Sequence, residues 1–229
     1  LHDALPIFTN KYIKFKLIYL LEEIKLEEVI AKIITIENGF KEIENIAKKI
    51  VKNNDSKKCY YLSIYLYRSE YYQVRELAVF ILGFISVTIS EALLFLKDNV
   101  SKDENWRVQE ILAKSFDYYC SEVGYEKALP VIKEWLNSDS PNIKRAVTEG
   151  LRIWTSRDYF KSNPDVAISL LSSLKEDDSE YLRKSVGNAL RDISKKYPDL
   201  VKKELDSWDI SNKKVEFVYK LASKCILAK

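Results

Sequence analysis

Four stretches of this chain repeat one pattern, and a chain that repeats at this spacing has few folds open to it. Val74-Arg75-Glu76-Leu77-Ala78, Val108-Gln109-Glu110-Ile111-Leu112, Ile143-Lys144-Arg145-Ala146-Val147 and Leu182-Arg183-Lys184-Ser185-Val186 each set an apolar residue before polar or charged positions, then a small or apolar helical stretch. Their starts lie 34, 35 and 39 residues apart. That length holds two antiparallel helices and two short turns. Each stretch follows another amphipathic segment, such as Tyr125 to Leu136 or Asp165 to Leu174, so the unit is an A helix and then a B helix. Asn163-Pro164 and Tyr197-Pro198 mark A-helix starts, and Asp139-Ser140-Pro141-Asn142 is a turn before a B helix.

One such helix pair cannot bury its apolar face, so successive pairs must stack. The predicted fold is all-α: a HEAT-like helical-repeat solenoid, or αα superhelix, with A helices outside and B helices lining a concave face. Lys11 to Lys52 and Asp209 to Lys229 read as further helices that fit the repeat poorly, as terminal caps do. Composition agrees. Hydrophobic residues at 47% against 31% charged exclude a disordered chain, and only five Gly and five Pro are poor punctuation for a many-stranded β protein. Residues 8–229 are therefore expected to form one repeat domain. Leu1 to Ile7, LHDALPI, resembles a translated sequencing adapter, and with no methionine anywhere the frame reads as truncated at its amino end.

The residue inventory excludes several chemistries. The one histidine is His2, and Cys59, Cys120 and Cys225 form no C-x-x-C pair. Zinc sites, Ser-His-Asp triads and Cys-His nucleophiles thus have no material, and neither metal nor cofactor is expected. No apolar run approaches the roughly 20 residues that cross a bilayer. With scattered cysteines and no signal peptide, a soluble, cytoplasmic, monomeric protein is expected.

Net charge is only +3, from 37 basic and 34 acidic residues, so a basic surface must come from placement. The third B helix carries Lys144, Arg145 and Arg152, with Arg157 at its end, against Glu149; the fourth carries Arg183, Lys184, Arg191, Lys195 and Lys196 against Glu180 and Asp192. Acidic residues gather elsewhere, as in Glu176-Asp177-Asp178. Two readings stand. These are solvated helix faces favoured by the helix dipole, or, since Lys144-Arg145 and Arg183-Lys184 share a register, paired cations spaced for the phosphates of a duplex. The tyrosines at 60, 61, 65, 67, 71 and 72 are assigned to repeat packing.

The candidate chemistry lies in Asn105-Trp106-Arg107-Val108-Gln109-Glu110. Spacing i, i+4 puts the Trp106 ring and the Glu110 carboxylate on one helix face. An aromatic wall beside a carboxylate is a receptor for a cation. The ring contributes about 0.5 to 2 kcal/mol, and a carboxylate about 4 Å from a unit charge contributes roughly 4 kcal/mol at an effective dielectric near 20. Expressed only in a transition state, the latter is about three orders of magnitude in rate. The competing reading is repeat grammar, because Glu110 aligns with Glu76 one repeat earlier.

From about Tyr72 to Trp208 the chain resembles the DNA alkylation repair family, HEAT-like-repeat DNA glycosylases that remove N3- and N7-alkylated purines. The likeness rests on NWRVQE, NIKRAVTEGLRIWT, SEYLRKSVGNALRDISKKYPDL and the repeat spacing together. It implies an N-glycosylase acting on duplex DNA, with Trp106 and Glu110 at the lesion and Arg145 on the backbone. The residues expected on DNA are then Arg145, Lys144, Arg152, Arg183, Lys184, Asn188 and Arg107. Two departures stand out: the better known branch has Asp where this chain has Glu110, and a second Trp where it has Asn188. Some relatives lack the active residues and bind DNA without excising bases. A non-catalytic module binding DNA or protein is the alternative.

Overall fold

A computed structural model describes residues 25–226, which are helical throughout, with no strand among them. His2, the adapter-like segment, residues 11–24 of the first expected cap and residues 227–229 of the last lie outside the described residues. The chain divides into two compact units between Glu122 and Val123. The first contains α1 (Leu26–Ile33), α2 (Lys41–Asn53), α3 (Ser56–Leu66), α4 (Tyr72–Ile85), α5 (Ser90–Asp98), a 3-10 turn (Val100–Lys102) and α6 (Trp106–Val123). The second contains α7 (Tyr125–Leu136), α8 (Pro141–Trp154), α9 (Asp158–Ser162), α10 (Pro164–Ser172), α11 (Glu180–Ser194), α12 (Pro198–Asp206) and α13 (Lys213–Ala222).

The predicted alternation of A and B helices holds, with α4, α6, α8 and α11 as the four B helices. Helix starts follow local chemistry. Pro141, Pro164 and Pro198 sit in first turns, where a missing N–H costs nothing. The side chains of Asp55, Asn105, Ser179 and Asn212 accept backbone N–H groups that have no partner within their helices.

Two expectations are revised. The terminal segments are not ill-fitting caps: α2 packs along α4 and α13 along α11, as B helices do. The last repeat spacing is longer because the short helix α9 is inserted after α8. Arg157, expected at the end of the third B helix, instead precedes α9, since α8 stops at Trp154.

Side-chain hydrogen bonds join residues about one repeat apart, the signature of stacked equivalent units. In the first unit Ser115 Oγ donates to Val79 O at 2.9 Å, and Tyr67 Oη donates to Asp103 at 3.1 Å. Tyr72 Oη donates to Ile36 O and Glu37 O, which bears out the packing assignment for this tyrosine and for Tyr67. In the second unit Thr148 and Ser185 share a hydrogen bond of 2.9 Å, and Trp208 Nε1 donates to Ser172 Oγ at 3.2 Å. Helices α4 and α6 approach closely at Gly83. A Cβ on Gly83 would stand 2.5 Å from Ser115 Oγ and 2.9 Å from Ser115 Cα, so only glycine permits it.

Candidate functional site

The residue after the apolar start of each B helix has a structural task. Arg75, Gln109, Lys144 and Arg183 occupy this position. Arg183 is buried and its guanidinium donates to Asp177 O at 2.6 Å and Asp178 O at 3.0 Å. Gln109 Nε2 donates to Val100 O and Asp103 O, and Arg75 donates to Ser69 O and Glu70 O while pairing with Asp103 at 2.7 Å. Lys144 pairs with Asp177 at 2.6 Å. Turn carbonyls ahead of α4, α6 and α11 need donors, and this slot supplies them there, whereas Lys144 pairs with a carboxylate of the turn before α11. Of the residues expected on DNA, Arg183 is therefore buried and engaged with the turn, and Lys144 is part-buried and paired with Asp177.

The next residue in each repeat, Glu76, Glu110, Arg145 and Lys184, lies on the adjacent face. Glu110 is half-buried, and among the described residues its carboxylate has neither an ion pair nor a hydrogen bond. Four residues earlier, at the start of α6, Trp106 is 59% exposed. The helix start is fixed by Asp103, which accepts the Asn105 N–H, and by Asn105, which accepts the Arg107 N–H at 2.9 Å.

Arg107 is not free toward solvent as a simple DNA contact would be. Its guanidinium carbon lies 4.6 Å from the Trp106 ring centroid and 5.0 Å from that of Tyr72, a cation between two aromatic rings. Glu76, only 3% exposed, belongs to the same charge cluster. Burial pushes its carboxyl up to about 7; Arg107 and Arg75 pull it down, while Glu110 adds to the rise. Sequence reading used Glu76 only as the argument for repeat grammar and missed Tyr72 as a partner of Arg107. The shared register of Tyr72 with Trp106 was the signal available for the latter.

The remaining expected residues lie in the second unit. Lys184 is exposed and Asn188 half-buried on α11. Arg145 and Arg152 flank Glu149 on α8, at 4.0 and 3.5 Å, and Arg152 also reaches Asp192 on α11 at 3.8 Å. Ser185 Oγ donates to Glu149 at 2.9 Å. Burial pushes the Asp192 carboxyl up, but Lys195, Arg191 and Arg152 together hold it below the ordinary carboxylate range. The Arg145 guanidinium lies 5.0 Å from the Tyr181 ring centroid. Basic charge on this face is thus real but partly neutralised.

Cys59 and Cys120 are buried, and burial pushes the Cys59 thiol up to about 11. Among the described residues no group of three or more His, Cys, Asp and Glu side chains could hold a metal ion, and no helix is long and apolar enough to cross a membrane.

Helical repeats, a B helix opening on an exposed Trp one turn before an uncommitted Glu, and Arg145 on a later B helix define a class that comparison supplies directly. The family model described as DNA alkylation repair enzyme matches residues 39–224, and the chain belongs to that family. Among solved structures it is similar to AlkD2 from Streptococcus mutans, at 53% identity and a TM-score of 0.86 over 90% of this chain and 99% of that one. It is likewise similar to smu.31 from Streptococcus mutans UA159, at 51% identity, a TM-score of 0.82 and the same coverage. Among curated proteins, YhaZ of Bacillus subtilis, described as uncharacterized, is 33% identical over 108 residues. That match spans 45% of this chain and 30% of YhaZ.

Proposed function

We propose that the protein is a DNA glycosylase that hydrolyses the N-glycosidic bond of cationic N3- or N7-alkylated purines in duplex DNA. The observation that carries this reading is the pairing, one helical turn apart, of an exposed Trp106 with a half-buried Glu110 that has no ion pair or hydrogen bond among the described residues. An alkylpurine already bears a positive charge, so it departs without a proton from a general acid, and the absence of a usable histidine is no obstacle. The bond between C1′ and the base nitrogen breaks, and its electron pair leaves with the purine and neutralises it. Water adds to C1′ and gives up a proton. Glu110 stabilises the positive charge that develops on the deoxyribose and orients that water. Trp106 packs against the sugar or the cationic base. Arg145 holds a backbone phosphate through its guanidinium.

One observation favours a second reading. The cation-binding face of Trp106 is already shared with Arg107, 4.6 Å from its ring centroid. A module that binds DNA without excising bases does not need that face free.

The deciding measurement is release of free 7-methylguanine and 3-methyladenine from methylated duplex DNA by the parent protein and by Glu110→Gln. Release by the parent, and a loss of about two to three orders of magnitude in the variant, is the expected result. No release by helical protein that binds DNA in a salt-dependent way supports the second reading instead.

A further inference from the structure

The B helices α8 and α11 of the second unit face each other through three cross-helix rungs. At one end Arg152 meets Asp192 at 3.8 Å. In the middle Ser185 meets Glu149 and Thr148, each at 2.9 Å. At the other end the Arg145 guanidinium lies against the Tyr181 ring, 5.0 Å from its centroid. The first two rungs join polar groups to polar groups. The third joins a cation to an aromatic ring that is 52% exposed, although a tyrosine there contributes nothing to the core.

Arg145 is held on two sides. Glu149, one turn later on its own helix, stands 4.0 Å from Nε, and the guanidinium carbon sits over the Tyr181 ring. A guanidinium has five N–H donors in one plane. Stacking on a ring occupies its face and leaves the edge free, and the edge is what binds a phosphate in bidentate fashion. Tyr181 is also seven residues before Asn188 and three before Lys184, so the three occupy one stripe of α11.

We propose that Tyr181 is the positioning residue of the phosphate grip, holding the Arg145 guanidinium flat so that its free edge meets a DNA phosphate. The proposal rests on the reading of Arg145 as a backbone contact. Tyr181 acts through Arg145, and its hydroxyl plays no part.

The test is DNA affinity against salt concentration for the full chain and for Arg145→Ala, Tyr181→Ala, Tyr181→Phe and the Arg145→Ala/Tyr181→Ala double variant. Tyr181 is exposed, so its variants retain the fold, which far-ultraviolet circular dichroism checks. Removing one phosphate contact lowers the slope of log affinity against log salt by about 1, and Arg145→Ala is expected to do this. Tyr181→Ala should weaken binding by about three- to tenfold and lower the slope in the same direction. Tyr181→Phe, which keeps the ring, should stay within about twofold of the parent, and the double variant should match Arg145→Ala alone. If Arg145→Ala weakens binding and Tyr181→Ala does not, or if their effects add, the positioning role is overturned while the DNA reading stands. If Arg145→Ala leaves the slope unchanged in a protein that binds DNA, the backbone contact and the positioning role fall together. A protein with no affinity for DNA overturns the proposed function itself, and this role with it.

Discussion

Replacing Glu76 by Gln should change how stability depends on pH, in a direction the structure fixes. Glu76 sits on α4 with 3% of its surface exposed, and among the described residues no ion pair or hydrogen bond compensates its charge. Burial moves its carboxyl from the ordinary 4.5 to about 7. Below the ordinary value both the folded and unfolded chains carry the proton, and the residue costs nothing. Above it the unfolded chain ionises first, so the folded chain binds more protons and stability falls as pH rises through about 7. Each pK unit corresponds to about 1.4 kcal/mol, which makes the full loss approach about 3 kcal/mol. Gln has nearly the same shape and no titration, so Glu76→Gln should show none of this loss. Urea unfolding followed by circular dichroism, at intervals from pH 5 to 8.5, measures both proteins under matched conditions. The difference in unfolding free energy between variant and parent should grow in the variant's favour by up to about 3 kcal/mol across that range. Parallel profiles would refute the reasoning, because they would mean that the folded protein tolerates the Glu76 charge as well as water does.

Other outcomes follow from named contacts. Gly83→Ala should destabilise the first unit by about 1 to 3 kcal/mol, since its Cβ would collide with Ser115 and force α4 from α6; an unchanged urea midpoint would show that the two helices separate freely. Arg183→Ala should lower stability by roughly 2 to 3 kcal/mol by leaving the Asp177 and Asp178 carbonyls without their donor. Lys184→Ala, next to it and exposed, should leave stability within about 0.5 kcal/mol but lower the salt slope of DNA binding by about 1. Paired denaturation and titration experiments on these two variants separate the slot inside the fold from the face toward the ligand. A reversed pattern would show that the two neighbours had been assigned to the wrong sides.

The repeat was legible without coordinates because helix faces recur at fixed intervals and apolar residues must follow them. Val74, Val108, Ile143 and Leu182 are all buried as that pattern requires. Prolines at 141, 164 and 198 marked helix starts because a proline ring fits a first turn at no cost, although Pro130 lies within α7. The pairing of Trp106 with Glu110 was equally visible, since one helical turn is enough to place both side chains on one face. One limit appeared even at this level. The terminal helices α2 and α13 looked irregular in sequence and pack regularly, because the repeat is defined by where a helix docks rather than by a fixed residue at each position.

What the amino-acid sequence determined by itself was periodic: which segments are helices, which face each buries, and which residues share a register. What only the tertiary structure decided was how each charge is used. Lys144 and Arg145 are adjacent, as are Arg183 and Lys184, and sequence treats the members of each pair alike. In the fold Arg183 is buried against turn carbonyls while Lys184 is exposed, and Lys144 pairs with Asp177 while Arg145 lies between Glu149 and the Tyr181 ring. The physical reason is that helical periodicity fixes neither kind of partner: Asp177 lies 33 residues from Lys144, across a repeat, and the carbonyls that Arg183 reaches belong to a turn five and six residues earlier whose shape the helix pattern does not set. For the same reason Tyr181 reads as one more tyrosine until its ring is seen against Arg145, and Arg107 as a free cation until it is seen between Tyr72 and Trp106.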